Sequence, residues 1–249
     1  LKRYPGVVVA FSGGVDSTLL LSVAKSVLGK RVIAVTVDSP LQSRSELIDA
    51  GRIARRLGVK HITIHVDTLK DRHIMNNSRT RCYYCKRMLF TRIKHIARKH
   101  GYTAIEATNR SDLRDHRPGI TAMGNLGIES PLIQAGFLKA DIRAAARGLG
   151  LPNWSKPSDT CLATRIPYGQ KINGQILQRI EKAETYLQRF KLRSIRVRDH
   201  YPVARIEVNP EDFPKIVTEC KKIVRHFHRI GYKYVTLDLN GYHTGSMDL

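Results

Sequence analysis

Val7-Val8-Val9-Ala10-Phe11-Ser12-Gly13-Gly14-Val15-Asp16-Ser17-Thr18 decides how this 249-residue chain is read: an apolar run passes through a Ser-Gly-Gly turn straight into a helix expected over 17–28. Two consecutive glycines remove the Cβ atoms that keep a backbone from closing around an anion, and they can adopt the positive φ angles such a turn needs. The free N–H groups and positive dipole end of the following helix aim at the same place. Ser12 and Ser17 add hydroxyl donors. The stretch therefore predicts a nucleotide pyrophosphate site. Asp16 is the odd member, because a carboxylate beside phosphates repels them unless it holds Mg²⁺ or orients the loop through backbone N–H groups. No lysine follows the glycines, which separates this turn from the G-x-x-x-x-G-K-[ST] loop.

Outward from that turn, apolar strands alternate with helices to about residue 107. Strands are expected over 7–11, 31–37, 61–66 and 104–107, and helices over 17–28, 44–57 and 87–100. Such alternation predicts an α/β unit with a doubly wound parallel sheet. Ligands of these sheets bind beyond the carboxyl ends of the strands. Residues 12–17, Asp38-Ser39, the loop after Val66 and Thr108-Asn109-Arg110-Ser111-Asp112 converge there. A helix over 141–149 and the Leu151-Pro152-Asn153-Trp154 break lead into a connecting region. Asn173 then caps a helix whose Ile176, Ile180, Ala183 and Leu187 share one face. Strands over 194–198 and 203–208, a helix from Asn209-Pro210 to about residue 228 and a strand over 232–239 complete a second, smaller α+β unit. The expected domains are 1–150, a hinge and active-site loop over 151–170, and 171–249.

Lysine and arginine number 43 against 21 aspartates and glutamates, a net charge of +22 that favours anionic partners such as ATP, nucleotides or RNA. Much of that charge lies on helix faces, such as Arg52-Arg55-Arg56, where a solvated surface explains it equally well. No apolar run approaches the roughly 20 residues needed to span a bilayer. No charged-then-apolar export segment opens the chain, so the expected location is the cytoplasm and no membrane partner is expected.

Cys82-x-x-Cys85, Cys161 and Cys220 are the whole cysteine complement. In a cytosolic chain the first two read as metal ligands or a redox pair in a loop ahead of a helix at Lys86. Cys161, in Ser158-Asp159-Thr160-Cys161-Leu162-Ala163-Thr164-Arg165, is a candidate third ligand. Three thiolates suit a [4Fe–4S] cluster with one open iron, and zinc would need a fourth group. Cys220 reads as a small hydrophobe buried in mid-helix.

Ser12-Gly13-Gly14-Val15-Asp16-Ser17 resembles the SGGxDS signature of the PP-loop ATP pyrophosphatases, which split ATP to AMP and pyrophosphate while adenylating a substrate. Nearly the whole chain is similar to the LarE family, ATP-dependent sulfur transferases that make the thio groups of the nickel-pincer nucleotide cofactor. That resemblance rests on Cys82-Tyr83-Tyr84-Cys85-Lys86, Asp115-His116-Arg117-Pro118-Gly119, Asn153-Trp154-Ser155-Lys156-Pro157, and Cys161-Leu162-Ala163-Thr164-Arg165-Ile166-Pro167-Tyr168-Gly169. Arg196-Val197-Arg198, Ala204-Arg205-Ile206-Glu207 and Tyr234-Val235-Thr236-Leu237-Asp238-Leu239 extend it.

The resemblance implies pyridinium-3,5-biscarboxylic acid mononucleotide as substrate, with ATP and Mg²⁺ as cofactors. A carboxylate is adenylated, pyrophosphate leaves, and sulfur from sulfide or another donor displaces AMP. It assigns ATP to Ser12, Gly13, Gly14, Asp16, Ser17, Asp38, Asn109 and Arg117. Cys82, Cys85 and Cys161 match the family's three-cysteine, [4Fe–4S] pattern, whereas other members sacrifice one cysteine as the sulfur source. Glu184 matches an active-site glutamate, and Arg165 is placed to steady the acyl-adenylate. Arg196 and Arg198, two apart on a strand and so on one side of it, are expected to clamp the substrate phosphate. A ring-like hexamer is implied. The competing readings are a PP-loop tRNA thiolase, which the charge favours but for which no RNA-binding module is recognisable, an amide-forming synthetase of the NAD synthetase type, and a binding module that holds ATP without forming AMP.

Overall fold

The computed structural model describes residues 1–114, 118–157, 160–243 and 245–247, with Arg114 and Pro118 described by their backbone alone. Two compact units emerge, Leu1–Thr68 with Thr80–Asp159, and Leu69–Arg79 with Thr160–Leu249.

The first unit is built on strands β1 (Val7–Ala10), β2 (Val32–Asp38), β3 (Lys60–His65) and β4 (Thr103–Ile105), all parallel and in the order β3-β2-β1-β4. Val7, Val8 and Val9 are all buried, as an apolar run must be when helices cover both faces of a parallel sheet. Side-chain alternation sorts them: Val7 and Val9 pack with Leu20, Ala34 and Ile53, and Val8 packs with Ile33, Val35, Phe90 and Ile93. Helices α1 (Val15–Leu28) and α2 (Arg44–Arg56) supply the first layer. Helix α3 (Arg72–Met75), next in the chain, belongs to the other unit, and α4 (Arg81–Lys99) and α5 (Pro118–Asn125) supply the second layer. Helices α6 (Pro131–Gln134) and α7 (Lys139–Gly148) follow, and α7 joins α1 in a cluster of Val15, Leu19, Ile142, Ala146 and Leu151. The order of strands reverses at β1, since β2 lies on one side of it and β4 on the other. The crevice where such sheets take ligands therefore opens past the carboxyl ends of β1 and β4.

The second unit contains α8 (Gly174–Gln188), β5 (Ile195–His200), β6 (Val203–Val208), α9 (Phe213–Thr218), α10 (Cys220–Arg229) and β7 (Tyr234–Leu237). β5 and β6 are antiparallel, β6 and β7 parallel, and the sheet order is β5-β6-β7. Its core joins Ala183 and Leu187 of α8 to Val197, Ile206, Ile223 and Phe227. Residues 69–79 belong to this unit although they follow β3 in the chain. Asn77, fully buried and at φ 52°, donates to the carbonyls of Ile166 (3.2 Å) and Pro167 (2.8 Å). The Ile172 amide donates to Met75 O at 2.7 Å.

Helices α3, α5 and α6 stand where the sequence reading gave no element, and two expected elements differ. Helix α4 begins at Arg81, so the Cys-x-x-Cys pair rides on a helix and not in a loop. The single helix expected to residue 228 is a 3₁₀ turn (Pro210–Asp212) followed by α9 and α10, with the break at Glu219. Cys220 therefore opens α10 and is exposed, which corrects the buried mid-helix reading. Among the described residues no helix is long and apolar enough to cross a membrane.

Candidate active site

The turn after β1 takes the expected positive φ at one of its two glycines, Gly13, while Gly14 is extended at φ −72°. Gly13 stands at φ 76°, and a Cβ there would lie 3.1 Å from Ala50 Cα and 3.2 Å from Ala50 N on α2. Only glycine meets both the angle and the contact. Gly14 is the N-cap of α1 and offers no side-chain acceptor, so the first-turn amides remain for an external anion. Ser17 Oγ donates to Gly14 O at 3.1 Å and lies 3.1 Å from Ser12 Oγ. With its own proton so used, it accepts from Ser12. Ser12 in turn accepts from the Gly14 amide at 3.3 Å, and it is exposed at the lip of the turn.

Asp16 forms an ion pair with Lys139 at the start of α7 and accepts from Asn109 Nδ2 at 3.3 Å. Its partners are thus two side chains, where the sequence reading offered Mg²⁺ or backbone amides. Asn109 is itself fixed by Asp112 (2.7 Å) and by the Ser111 amide (2.9 Å). Lys139 carries no motif and was not anticipated. Asp38 ends β2, and the Arg44 guanidinium at 2.7 Å holds its carboxyl below the usual carboxylate range. Beneath the turn, Thr36 Oγ1 donates to Phe11 O at 2.7 Å and lies 2.8 Å from His61 Nε2, which therefore carries the proton. Burial pushes the His61 pKa down, favouring the neutral ring. Arg117, with Asp115 and His116 of the same motif, lies outside the described residues, as do Ser158 and Asp159 ahead of Cys161.

Cys82 and Cys85 stand in the first turns of α4, both partly buried. An i, i+3 spacing puts them side by side on one helix face, a geometry suited to two ligands of one metal centre. Arg81 Nη2 lies 3.9 Å from Cys82 Sγ, and a Cβ on Gly119 would meet Lys86 Cγ at 3.0 Å, so the glycine lets α5 close on this turn. The pair fits two positions of an iron–sulfur cluster. Among the described residues no three His, Cys, Asp or Glu side chains form a metal-binding group. A Mg²⁺ ion has no need of one, because it binds through one or two carboxylates plus the phosphates of its nucleotide.

In the second unit Cys161 is the N-cap of a 3₁₀ helix, Leu162–Arg165. Arg165, 1% exposed, uses Nη1 on Thr160 O (2.6 Å), Thr160 Oγ1 (2.8 Å), Cys161 O (3.1 Å) and Thr164 Oγ1 (3.0 Å). Its Nε and Nη2 form a bidentate pair with Glu184 of α8, both at 3.0 Å. Glu184 also accepts from the Val197 amide at 2.9 Å. These two side chains therefore hold the turn that carries Cys161, and they hold each other.

Arg196 and Arg198 flank Val197 and so share the strand face opposite the core. Arg198 donates to Glu207 (2.7 Å), Ser246 Oγ (2.8 Å) and Thr164 O (2.9 Å). Arg196 donates to Ile195 O at 2.7 Å and lies 5.3 Å over the Tyr242 ring. Glu207, fully buried, is pushed up by burial, but Arg198, Ser246 and Arg205 outweigh that and hold its pKa below the usual range.

A family model described as queuosine biosynthesis protein QueC matches residues 6–83, the part that contains the turn. Over most of its length the chain is similar to an uncharacterised protein of Synechocystis sp., 40% identical over 243 residues and covering 96% of this chain and 91% of that one. It is also similar to the pyridinium-3,5-bisthiocarboxylic acid mononucleotide synthase of Lactiplantibacillus plantarum, 37% identical over 250 residues, with 100% and 91% covered. An uncharacterised protein of Methanocaldococcus jannaschii is 32% identical over 237 residues, with 95% and 90% covered.

Proposed function

The chain belongs to the LarE family of PP-loop, ATP-dependent sulfur transferases, and from that premise we propose that it adenylates a carboxylate of pyridinium-3,5-biscarboxylic acid mononucleotide and exchanges the activated oxygen for sulfur. The observation that carries this reading is the 37% identity, across 100% of the chain, to a synthase named for the bisthiocarboxylic acid product.

A carboxylate oxygen is a poor leaving group, and attack of that oxygen on the α-phosphorus of ATP converts it into part of AMP, a good one. Pyrophosphate departs. A sulfide sulfur then attacks the acyl carbon, the C–O bond to AMP breaks, and a thiocarboxylate and AMP leave with release of a proton. In this scheme the amides of the turn with Ser12, Gly13, Gly14 and Ser17 bind the departing phosphates, and Mg²⁺ offsets their charge. Asp16, Asp38 and Asn109 position nucleotide and ion, and Arg117 joins them on the strength of its motif. Arg165 and Glu184 position the Cys161 turn. Arg196 and Arg198 receive the substrate phosphate, for which Arg198 must share its guanidinium with Glu207.

The cluster assignment is part of the proposal: Cys82, Cys85 and Cys161 ligate a [4Fe–4S] cluster, supported by the three-cysteine pattern and by the pairing of Cys82 with Cys85 on α4. With three cysteines as its protein ligands, such a cluster would keep one iron open, and the chemistry it would supply is the binding of a sulfide for transfer.

The test is anaerobic incubation of reconstituted protein with MgATP, sulfide and the mononucleotide, with mass spectrometry for oxygen-to-sulfur exchange and for AMP, and unmodified tRNA in a parallel tube. Thiolated mononucleotide with AMP is expected. Sulfur appearing only in tRNA, the reading that the +22 charge favours, would overturn the assignment. Cys161→Ala is expected to abolish thiolation while AMP formation persists, and loss of the cluster's visible absorption in the same variant checks the ligand assignment.

A further inference from the structure

We propose that Asn153 is a positioning residue that locks the Gly13–Gly14 peptide in the orientation an anion requires. Its Nδ2 donates to Gly13 O at 2.8 Å and to Thr18 Oγ1 at 2.9 Å, and the residue is buried. In a trans peptide the C=O and the next N–H point in opposite directions. A bond that holds the Gly13 carbonyl inward therefore turns the Gly14 amide outward, to the side where the exposed Ser12 hydroxyl lies. Little else resists rotation of this peptide: both flanking residues lack Cβ, and the one other bond it makes among the described residues is the long Gly14 amide contact to Ser12 Oγ at 3.3 Å. Flipped, it would aim a carbonyl oxygen at the phosphates and reverse the sign of the local field.

The donor is anchored from outside the turn. Arg143 of α7 grips Trp154 O and Lys156 O, both at 2.9 Å, and Lys156 Nζ pairs with Asp49 of α2 at 3.1 Å. Residues 153–156 thus form a strut within the first unit. The amide cannot be reversed end for end, since that would set Asn153 Oδ1 against Gly13 O. As placed, Oδ1 is buried with no hydrogen-bond partner among the described residues. A buried acceptor left unpaired costs stability. As a packing element Asn153 is thus a poor choice, and the two bonds it donates are what the position gains.

This inference rests on the ATP reading above, and the experiment separates the two. MgATP and inorganic pyrophosphate are titrated calorimetrically into the full chain and into Asn153→Ala, Asn153→Asp and Thr18→Val, with thermal melts in parallel. The parent binds both ligands; if it binds neither, the ATP reading fails and the inference falls with it. If it binds, Asn153→Ala is expected to weaken both ligands about tenfold and Asn153→Asp more, because a carboxylate would face Gly13 O. Thr18→Val removes the second bond of Asn153 but not the one to Gly13, so it lowers melting temperature and leaves both affinities within about twofold. Folded Asn153 variants that bind like the parent would overturn the inference. So would a Thr18→Val variant that loses affinity as much as they do, since the effect would then be general loosening.

Discussion

Replacing Glu184 by alanine strands a charge. The pair it forms with Arg165 is bidentate at 3.0 Å, with the arginine side chain 1% and the glutamate side chain 12% exposed, so water cannot take over the guanidinium when its partner goes. Removing one member of a buried pair costs about 3–5 kcal/mol. The lower end applies here, about 3 kcal/mol, because Nη1 keeps its bonds to Thr160, Cys161 and Thr164. Glu184→Gln retains an acceptor and much of the volume and is expected to cost about 2 kcal/mol. Urea unfolding followed by a probe in the second unit gives these values, and hydrogen exchange at the Val197 amide, which Glu184 accepts, reports the local loosening. The double variant Arg165→Met, Glu184→Leu removes both charges and is expected to be more stable than Glu184→Ala, with a coupling energy of about 2 kcal/mol when measured against the single variants Arg165→Met and Glu184→Leu. A cost below about 1 kcal/mol for Glu184→Ala, or strict additivity in the double variant, would refute the picture of a mutually held pair.

Gly13→Ala forces a side chain into φ 76° against Ala50, so a loss of about 1–2 kcal/mol and at least about tenfold weaker MgATP binding are expected by melting and calorimetry. His61 is held neutral by burial, its folded pKa below that of the unfolded chain. Its contribution is therefore complete above about pH 6.5 and is lost as pH falls from there towards the depressed folded value, since the unfolded chain takes up the proton first. Urea unfolding across that window should show the slope, and His61→Gln should remove part of it; an unchanged slope would reject the assignment. Lys139→Met frees Asp16 from its ion pair, and the expected result is a stability loss of about 1 kcal/mol or less with MgATP affinity lowered severalfold, so equal affinity would show that the pair does not set the turn.

The parallel sheet and the Gly13-Gly14 turn were legible because apolar runs, glycine pairs and strand-helix alternation are local signals. Helix α4 starts six residues ahead of its sequence signal, since Arg81-Cys82-Tyr83-Tyr84-Cys85-Lys86 has no apolar period and Thr80 makes no side-chain cap bond. The break at Glu219 has no sequence signal for a related reason: α9 and α10 each keep one buried stripe, Ile216 in the first and Ile223 with Phe227 in the second, and the two read as one helix. Arg165 and Glu184 were each picked out, but their pairing, 19 residues apart, was not. Asn153 stands in a recognisable motif but its partner does not follow from it, and Lys139 carries no motif at all, because their partners are a carbonyl 140 residues away and a carboxylate 123 residues away. Pairing of this kind is written only in three dimensions.

The excursion of residues 69–79 into the second unit makes the chain pass between units at 68–69, at 79–80 and at 159–160. Neither unit is thus a continuous piece of chain. A fragment ending at 159 would carry Asn77 without the Ile166 and Pro167 carbonyls it binds, and a fragment starting at 160 would lack the asparagine. During synthesis Asn77 emerges 89 residues before Ile166, so this segment waits for its partner while all four strands of the first unit have already been made. Splitting the gene at the apparent boundary would accordingly yield two incomplete halves, and supplying 69–79 in trans to the later half is the natural way to complete it.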